Sequence, residues 1–159
     1  MEIERKYLVA NDGWKADILS SARIVQFYLT GLDQSPTVRL RLVGDQGILT
    51  LKYPSVSDTV LARDEFEYEI PKSDVEAQLH RATGAIIRKT RHNVKGPDGQ
   101  LWEVDEFAAP VGGLILAEIE LKSIAQSFAR PDWLGKDVTQ NPAYSNLSLS
   151  FSAQPTAGD

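Results

Sequence analysis

In several short stretches of this chain every second residue is charged, and within one stretch the charges mostly share a sign. Glu2 and Glu4 flank Ile3 and lead to Lys6. Arg39 and Arg41 alternate with Val38, Leu40 and Leu42, and Lys52 follows Thr50 between apolar neighbours. Glu65, Glu67 and Glu69 alternate with Phe66, Tyr68 and Ile70. Lys89 pairs with Arg91, Glu103 with Asp105, and Glu118 with Glu120 in the same way. Successive side chains of extended backbone point to opposite faces, so each stretch offers one charged and one apolar face. Basic side chains gathered on a surface grip phosphate oxygens, arginine doing so bidentately. Clustered carboxylates hold a hard cation that also bridges those oxygens.

The plain alternative is a sheet with its apolar face inward and its charges in water, paired across strands for a few tenths of a kcal/mol. Two features favour the opposite sense. The chain carries helical segments that can cover an apolar face from outside, leaving the charged face as the interior of a barrel, and closure removes exposed strand edges. Like charges collected in one lumen also repel unless something highly charged sits among them. A polyanion with divalent metals satisfies both sets of residues.

The elements that would carry these residues are short. Period-two alternation predicts strands over Glu2–Val9, Arg23–Thr30, Thr37–Val43, Gly47–Tyr53, Leu61–Ile70, Ile87–Lys95, Gln100–Phe107 and Leu116–Lys122. Gly44-Asp45-Gln46-Gly47 and Gly96-Pro97-Asp98-Gly99 read as hairpin turns. Helices are predicted at Trp14–Ala22, at Ser73–Glu76 with a capping box extending toward Gly84, and at Ile124–Ala129 behind a Ser123 cap. Another starts at Asn141-Pro142. Gln154–Asp159 reads as a loose tail. The expected fold class is α+β: a closed eight-stranded antiparallel β-barrel, or tunnel, with a charged lumen and helices packed on the outside. It forms a single domain over residues 1–153.

Composition narrows the function. With 159 residues, 42% hydrophobic and 25% charged, the chain suits one domain with a real core. No apolar run approaches the roughly 20 residues that span a bilayer, and no leader pattern opens the sequence. A soluble, cytoplasmic protein is expected, with no membrane partner. A net charge of −5 argues against bulk nucleic-acid binding. The absence of cysteine restricts any metal to oxygen or imidazole donors. His92, next to Arg91, should face outward, and both it and His80 read as surface or packing residues. Gly112-Gly113 lacks the P-loop ending and reads as a turn. A homodimer is left open.

In order along the chain, Glu2-Ile3-Glu4-Arg5-Lys6, Arg39-Leu40-Arg41, Thr50-Leu51-Lys52, Arg63-Asp64-Glu65-Phe66-Glu67, Lys89-Thr90-Arg91, Glu103-Val104-Asp105 and Glu118-Ile119-Glu120 resemble the strand motifs of the CYTH, or triphosphate tunnel metalloenzyme, family. The compact bacterial inorganic tripolyphosphatases are the most similar group. The resemblance implies an eight-stranded tunnel and divalent-metal-dependent hydrolysis of a triphosphate, with Mg2+ or Mn2+ as cofactor. Inorganic tripolyphosphate, cleaved to pyrophosphate and phosphate, is the expected substrate. Arg39, Arg41, Lys52, Lys89 and Arg91 are expected to cradle it. Glu2, Glu4, Glu118 and Glu120, with Asp105, would hold metal, while Glu65 and Glu67 would hold a second metal or position the attacking water. The resemblance also places Lys6 near Tyr28 at the attacked phosphorus. Adenylate cyclisation of the class IV type, thiamine or nucleoside triphosphate hydrolysis, and non-catalytic polyphosphate or nucleotide binding remain as alternatives.

Overall fold

A computed structural model of the chain describes residues 2–54 and 62–151. The strands are β1 (Glu2–Val9), β2 (Ile18–Tyr28), β3 (Thr37–Val43), β4 (Gln46–Lys52), β5 (Ala62–Arg63), β6 (Glu65–Ile70), β7 (Ile87–Lys95), β8 (Leu101–Ala109), β9 (Ile115–Glu120) and β10 (Leu134–Asp137). Two short α-helices, α1 (Lys72–Glu76) and α2 (Asn146–Phe151), accompany them, with 3-10 turns at Asp12–Asp17, Leu79–Arg81 and Pro142–Tyr144.

The strands hydrogen-bond in the order β10-β1-β9-β8-β7-β2-β3-β4-β6, every neighbouring pair antiparallel. This corrects the closed eight-stranded barrel: nine strands lie on the path, and it is not closed by hydrogen bonds. The free edge of β1 is shared. Its second half pairs with β10 through Tyr7↔Asp137 and Val9↔Leu134, so only Glu2↔Arg63 and Ile3↔Ala62 are left for β5. The run expected over Leu61–Ile70 is broken at Asp64, and β6 pairs with β4. Leu61 itself lies outside the described residues, as does the predicted tail.

Side-chain alternation sorts the sheet as the charge pattern predicts. On the outer face one cluster packs Tyr7, Trp14, Val94, Trp102, Val104, Ala117, Ile119, Trp133 and Leu134 beneath the segments flanking β1 and β10. A second packs Phe27, Leu40, Leu42 and Val75 beneath α1. Rings meet edge to face, as Trp102 does with Tyr7, Phe128 and Trp133. A third cluster lies on the same face as the charges: Tyr28, Ile87, Phe107 and Leu116 meet Val138, Tyr144 and Leu149. The C-terminal segment therefore enters one end of the lumen, unlike α1, which packs outside. Gly84 permits this approach, because a Cβ there would lie 2.6 Å from the Ser150 carbonyl oxygen. Ala85 N donates to that same oxygen at 2.7 Å.

Other departures have local causes. Ile18–Ala22 is strand rather than helix, because β2 extends to pair along β7 from Ile18↔Val94 to Gln26↔Ile87. The predicted Ile124–Ala129 helix does not form. Gln126 N closes a single turn on the Ser123 carbonyl at 3.2 Å, its side chain turns back to accept from Lys122 N at 2.6 Å, and Ala129 N donates to Asp98 Oδ2 at 2.8 Å. The capping box at Ser73 makes no side-chain cap bond, since α1 starts behind Pro71, whose carbonyl accepts from Asp74 N and Val75 N. Asn141, in contrast, caps as expected, accepting from Ala143 N at 3.0 Å. The hairpin glycines Gly44 and Gly99 take φ of 59° and 82°. His92 points outward, bridging Ser21 at 2.6 Å and Glu106 at 2.6 Å against the Trp14 ring. No helix among the described residues is long and apolar enough to cross a membrane.

Candidate active site

The charged face lines a cavity of about 530 Å³. Of the residues singled out from sequence, Glu2, Glu4, Lys6, Tyr28, Arg39, Arg41, Lys52, Glu65, Glu67, Arg91, Glu118 and Glu120 all reach its wall. Strand register explains the convergence, since like charges stand directly opposite one another at Glu4↔Glu120 and Glu103↔Glu118. Such pairs destabilise a sheet unless a cation compensates. Basic residues fill the neighbouring wall, Arg39 and Arg41 from β3 and Lys52 from β4.

Acid and base interleave at the boundary. Lys52 Nζ lies 3.3 Å from Glu2 Oε1, 4.0 Å from Glu4 Oε1 and 3.7 Å from Glu65 Oε2. Burial weakens the Lys52 charge, but Glu4, Glu2 and Glu65 outweigh it and hold the ammonium above its usual range. Arg39 Nη2 approaches Glu65 at 3.7 Å and Glu67 at 3.8 Å. Lys6 Nζ lies 3.5 Å from Glu118 and donates to the Tyr144 carbonyl at 3.0 Å. Lys6 and Tyr28 thus share the cavity wall, with Lys6 engaged by the C-terminal segment.

Lys89 and Asp105 are placed differently. Neither lines the cavity. Lys89 Nζ contacts Asp105 Oδ2 at 2.7 Å with both side chains buried, and Arg91 grips both Asp105 oxygens at 2.8 and 2.9 Å. Burial alone would raise the Asp105 carboxyl, but Lys89 and Arg91 together hold it well below the ordinary carboxylate range. Asp105 therefore anchors cations. Arg91 also reaches Glu103 at 3.1 Å, which brings Glu103, a residue not assigned from sequence, into the site.

The acidic wall suits a hard divalent cation. Every donor is a carboxylate oxygen. Glu65 Oε2 and Arg39 Nε are buried without a hydrogen-bond partner, as expected of groups that await a ligand. Burial, reinforced by Glu118 and Glu2 against the pull of Lys52, pushes the Glu4 carboxyl up to about 8. Burial and a hydrogen bond with Glu65 raise Glu2 as well. Lys6 and Arg91 overcome burial to keep Glu118 low. Among the described residues no three acidic or histidine side chains already converge as a metal cluster. The carboxylates instead lean on Lys52, Lys6 and Arg39, which stand where a cation and an anion would share the charge.

Two amides that no sequence motif marks join the site, one buried and one half-buried. Gln26 is fully buried and accepts from Arg41 Nε at 2.8 Å. Its Nε2 donates at 3.1 Å to Asn146 Oδ1, which also accepts from Lys89 Nζ at 3.0 Å. The signal for Gln26 was its parity with Tyr28 on β2. Asn146 had none, because its placement depends on how α2 docks.

An antiparallel sheet curled around opposed acidic and basic walls is the architecture of a protein that binds a compact polyanion together with cations. The chain belongs to the CYTH domain family, which it matches over residues 1–151. It is 38% identical over 149 residues to an inorganic triphosphatase of Acetivibrio thermocellus, covering 93% of this chain and 92% of that protein. It is 39% identical over 155 residues to an inorganic triphosphatase of Nitrosomonas europaea, covering 95% and 97%. A solved structure of an inorganic triphosphatase superposes with a TM-score of 0.70 at 37% identity, covering 96% and 95% of the two chains. A conserved hypothetical protein of Pyrococcus furiosus, 20% identical with a TM-score of 0.59 over 79% and 81% of the two chains, shares the fold.

Proposed function

We propose that this protein is a divalent-metal-dependent triphosphatase that hydrolyses inorganic tripolyphosphate to pyrophosphate and phosphate. The observation that carries the reading is the opposition of Arg39, Arg41, Lys52 and Arg91 to Glu2, Glu4, Glu118 and Glu120 across one cavity. Relatives called inorganic triphosphatases, alike along nearly the whole chain, support it.

Phosphoryl transfer asks the protein for in-line positioning and for neutralisation of charge on the phosphoryl and leaving oxygens. Arg39 and Arg41 carry out the second task from β3, Lys52 from β4 and Arg91 from β7. Arg91 is held for this by Asp105, and Asp105 by Lys89. Glu2, Glu4, Glu118 and Glu120 are the residues that would hold Mg2+ or Mn2+, a cation that neutralises phosphate oxygens and orients the anion when bound. Glu65 and Glu67, beside Arg39, are placed to order the attacking water. Lys6, fixed by Glu118 and the Tyr144 carbonyl, presents a positive charge toward the same space as the Tyr28 hydroxyl.

The wall also favours an inorganic substrate. Among the described residues that line the cavity Tyr28 is the one aromatic, so no pair of rings among them sandwiches a base or a thiazole. The proposed protein is cytoplasmic and acts on a small molecule, with neither nucleic acid nor membrane as partner.

The test is a panel of tripolyphosphate, ATP, thiamine triphosphate and pyrophosphate in magnesium and in manganese, with products followed by 31P NMR. Tripolyphosphate should give equimolar pyrophosphate and phosphate fastest. Pyrophosphate and cyclic AMP from ATP as the dominant reaction would replace hydrolysis with cyclisation. Tight tripolyphosphate binding without turnover in either metal would reduce the protein to a binder.

A further inference from the structure

The phosphate-facing cations are not held by their own strands alone. Arg41 donates through Nε to Gln26 Oε1 at 2.8 Å, and Gln26 donates through Nε2 to Asn146 Oδ1 at 3.1 Å. Asn146 Oδ1 accepts in addition from Lys89 Nζ at 3.0 Å. Lys89 pairs with Asp105, and Asp105 clamps Arg91. One continuous chain of hydrogen bonds therefore runs from Arg41 on β3, through an amide on β2 and an amide on α2, to Arg91 on β7.

The orientation of each amide is fixed by its partners. Arg41 and Lys89 can only donate, so each must face an amide oxygen, and the Gln26 nitrogen must then point at Asn146. Gln26 is wholly buried with both ends engaged, and no part of it is left for a ligand. On Arg41, Gln26 occupies Nε and leaves the two terminal nitrogens, the pair that binds an oxyanion bidentately. Without that acceptor the buried guanidinium, already pulled down to about 9 by burial and by Arg39 and Arg91, would have to turn back into the wall for a partner.

We propose that Gln26 and Asn146 are positioning residues for the triphosphate: the Asn146 amide, delivered by the C-terminal helix into one end of the lumen, locks Arg41 and Arg91 into one phosphate-binding array. The proposal rests on the triphosphatase reading for its ligand, but not on turnover. Its consequence is that docking of α2 and competence of the basic wall are one event. No carboxylate of the acidic wall on β1 and β9 hydrogen-bonds to this chain of contacts; Glu118 feels the charge of Arg91, which every variant below keeps.

The experiment measures tripolyphosphate affinity by calorimetry in the absence of turnover, and manganese affinity separately, for wild type, Gln26→Leu, Asn146→Leu and the double variant. Each single variant should bind tripolyphosphate about tenfold more weakly, the loss expected for one charge-assisted hydrogen bond. The double variant should fall well short of the product of the two, because both break one chain. Manganese affinity should stay within about twofold of wild type. A general loosening of the fold would lower both affinities instead. If Asn146→Leu does not unfold cooperatively, Asn146→Ala removes the acceptor without setting a branched apolar group against Lys89 and carries the same expectation. Unchanged tripolyphosphate affinity in the single variants, fully multiplicative losses, or a parallel loss of manganese binding would each overturn the proposal. Wild-type binding without hydrolysis would remove the triphosphatase reading and leave the positioning role to be judged by these affinities. No wild-type binding would remove both.

Discussion

Replacing Asp105 with asparagine isolates the most deeply buried charge pair among the described residues. Asp105 is 2% exposed and Lys89 3% exposed, their charged atoms 2.7 Å apart, with Arg91 completing the shell. Removing one partner of a buried pair leaves the other uncompensated, at a cost of about 3–5 kcal/mol. Asparagine keeps one acceptor oxygen for Arg91, and Lys89 keeps Asn146, so the lower end, about 3 kcal/mol, is expected. For a chain of this length that corresponds to a fall in Tm of roughly 6–12 °C. Circular dichroism melts at pH 7 read it directly. Lys89→Met together with Asp105→Asn should regain part of the loss, since the buried amine left without its carboxylate, which burial already holds down to about 7, is then gone. The sign of the pH dependence follows from the direction of the Asp105 shift. Its folded value lies below the unfolded one, so its stabilisation is fully present above about pH 4 and is lost as pH falls through the folded value. The variant should lack this acid-side loss. A Tm within about 2 °C of wild type, or a double variant worse than both singles, would show that Asp105 does not stabilise the fold through this buried pair.

Three other outcomes are expected. Because Glu4 is held up to about 8, it carries a proton at pH 7 in the metal-free protein. Metal binding should therefore release a proton there and tighten as pH rises toward 8, seen by titration calorimetry in buffers of different ionisation enthalpy. Lys52→Met removes the cation shared by Glu2, Glu4 and Glu65, so tripolyphosphate should bind more weakly while manganese binds more tightly. A fall in both affinities would count against competition between Lys52 and the metal. Leu149→Ala empties a fully buried position where α2 enters the lumen and should cost about 2–5 kcal/mol by denaturant melts, with turnover falling beyond the unfolded fraction.

Much of this was legible in the sequence because side-chain alternation is a local property. Once Arg39-Leu40-Arg41 is extended, the arginines must share a face, whatever pairs with them. That face could be assigned to the lumen because Leu40 and Leu42 opposite needed burial, and α1 supplied Val75 to bury them. What stayed hidden depends on long-range partners. The edge of β1 is divided between β10 and β5, and a four-residue strand such as Leu134–Asp137 carries no period of its own. Ile18–Ala22 reads as the end of a helix until β7 lies beside it. Asp105 reads as a metal ligand from its strand motif alone, and its partners Lys89 and Arg91 come from a neighbouring strand that the local pattern cannot name. Asn146 is a polar residue in a short helix, with nothing in its neighbours to announce Gln26 or Lys89.

If opposed basic and acidic walls act together on a triphosphate, phosphate release from tripolyphosphate with saturating magnesium or manganese should separate wild type from Glu4→Ala and Arg41→Ala, all folded by circular dichroism. Wild type should turn over in a way that chelation abolishes, and each variant should lose at least about a hundredfold in kcat/KM. Undiminished turnover in both variants would contradict joint action by the two walls.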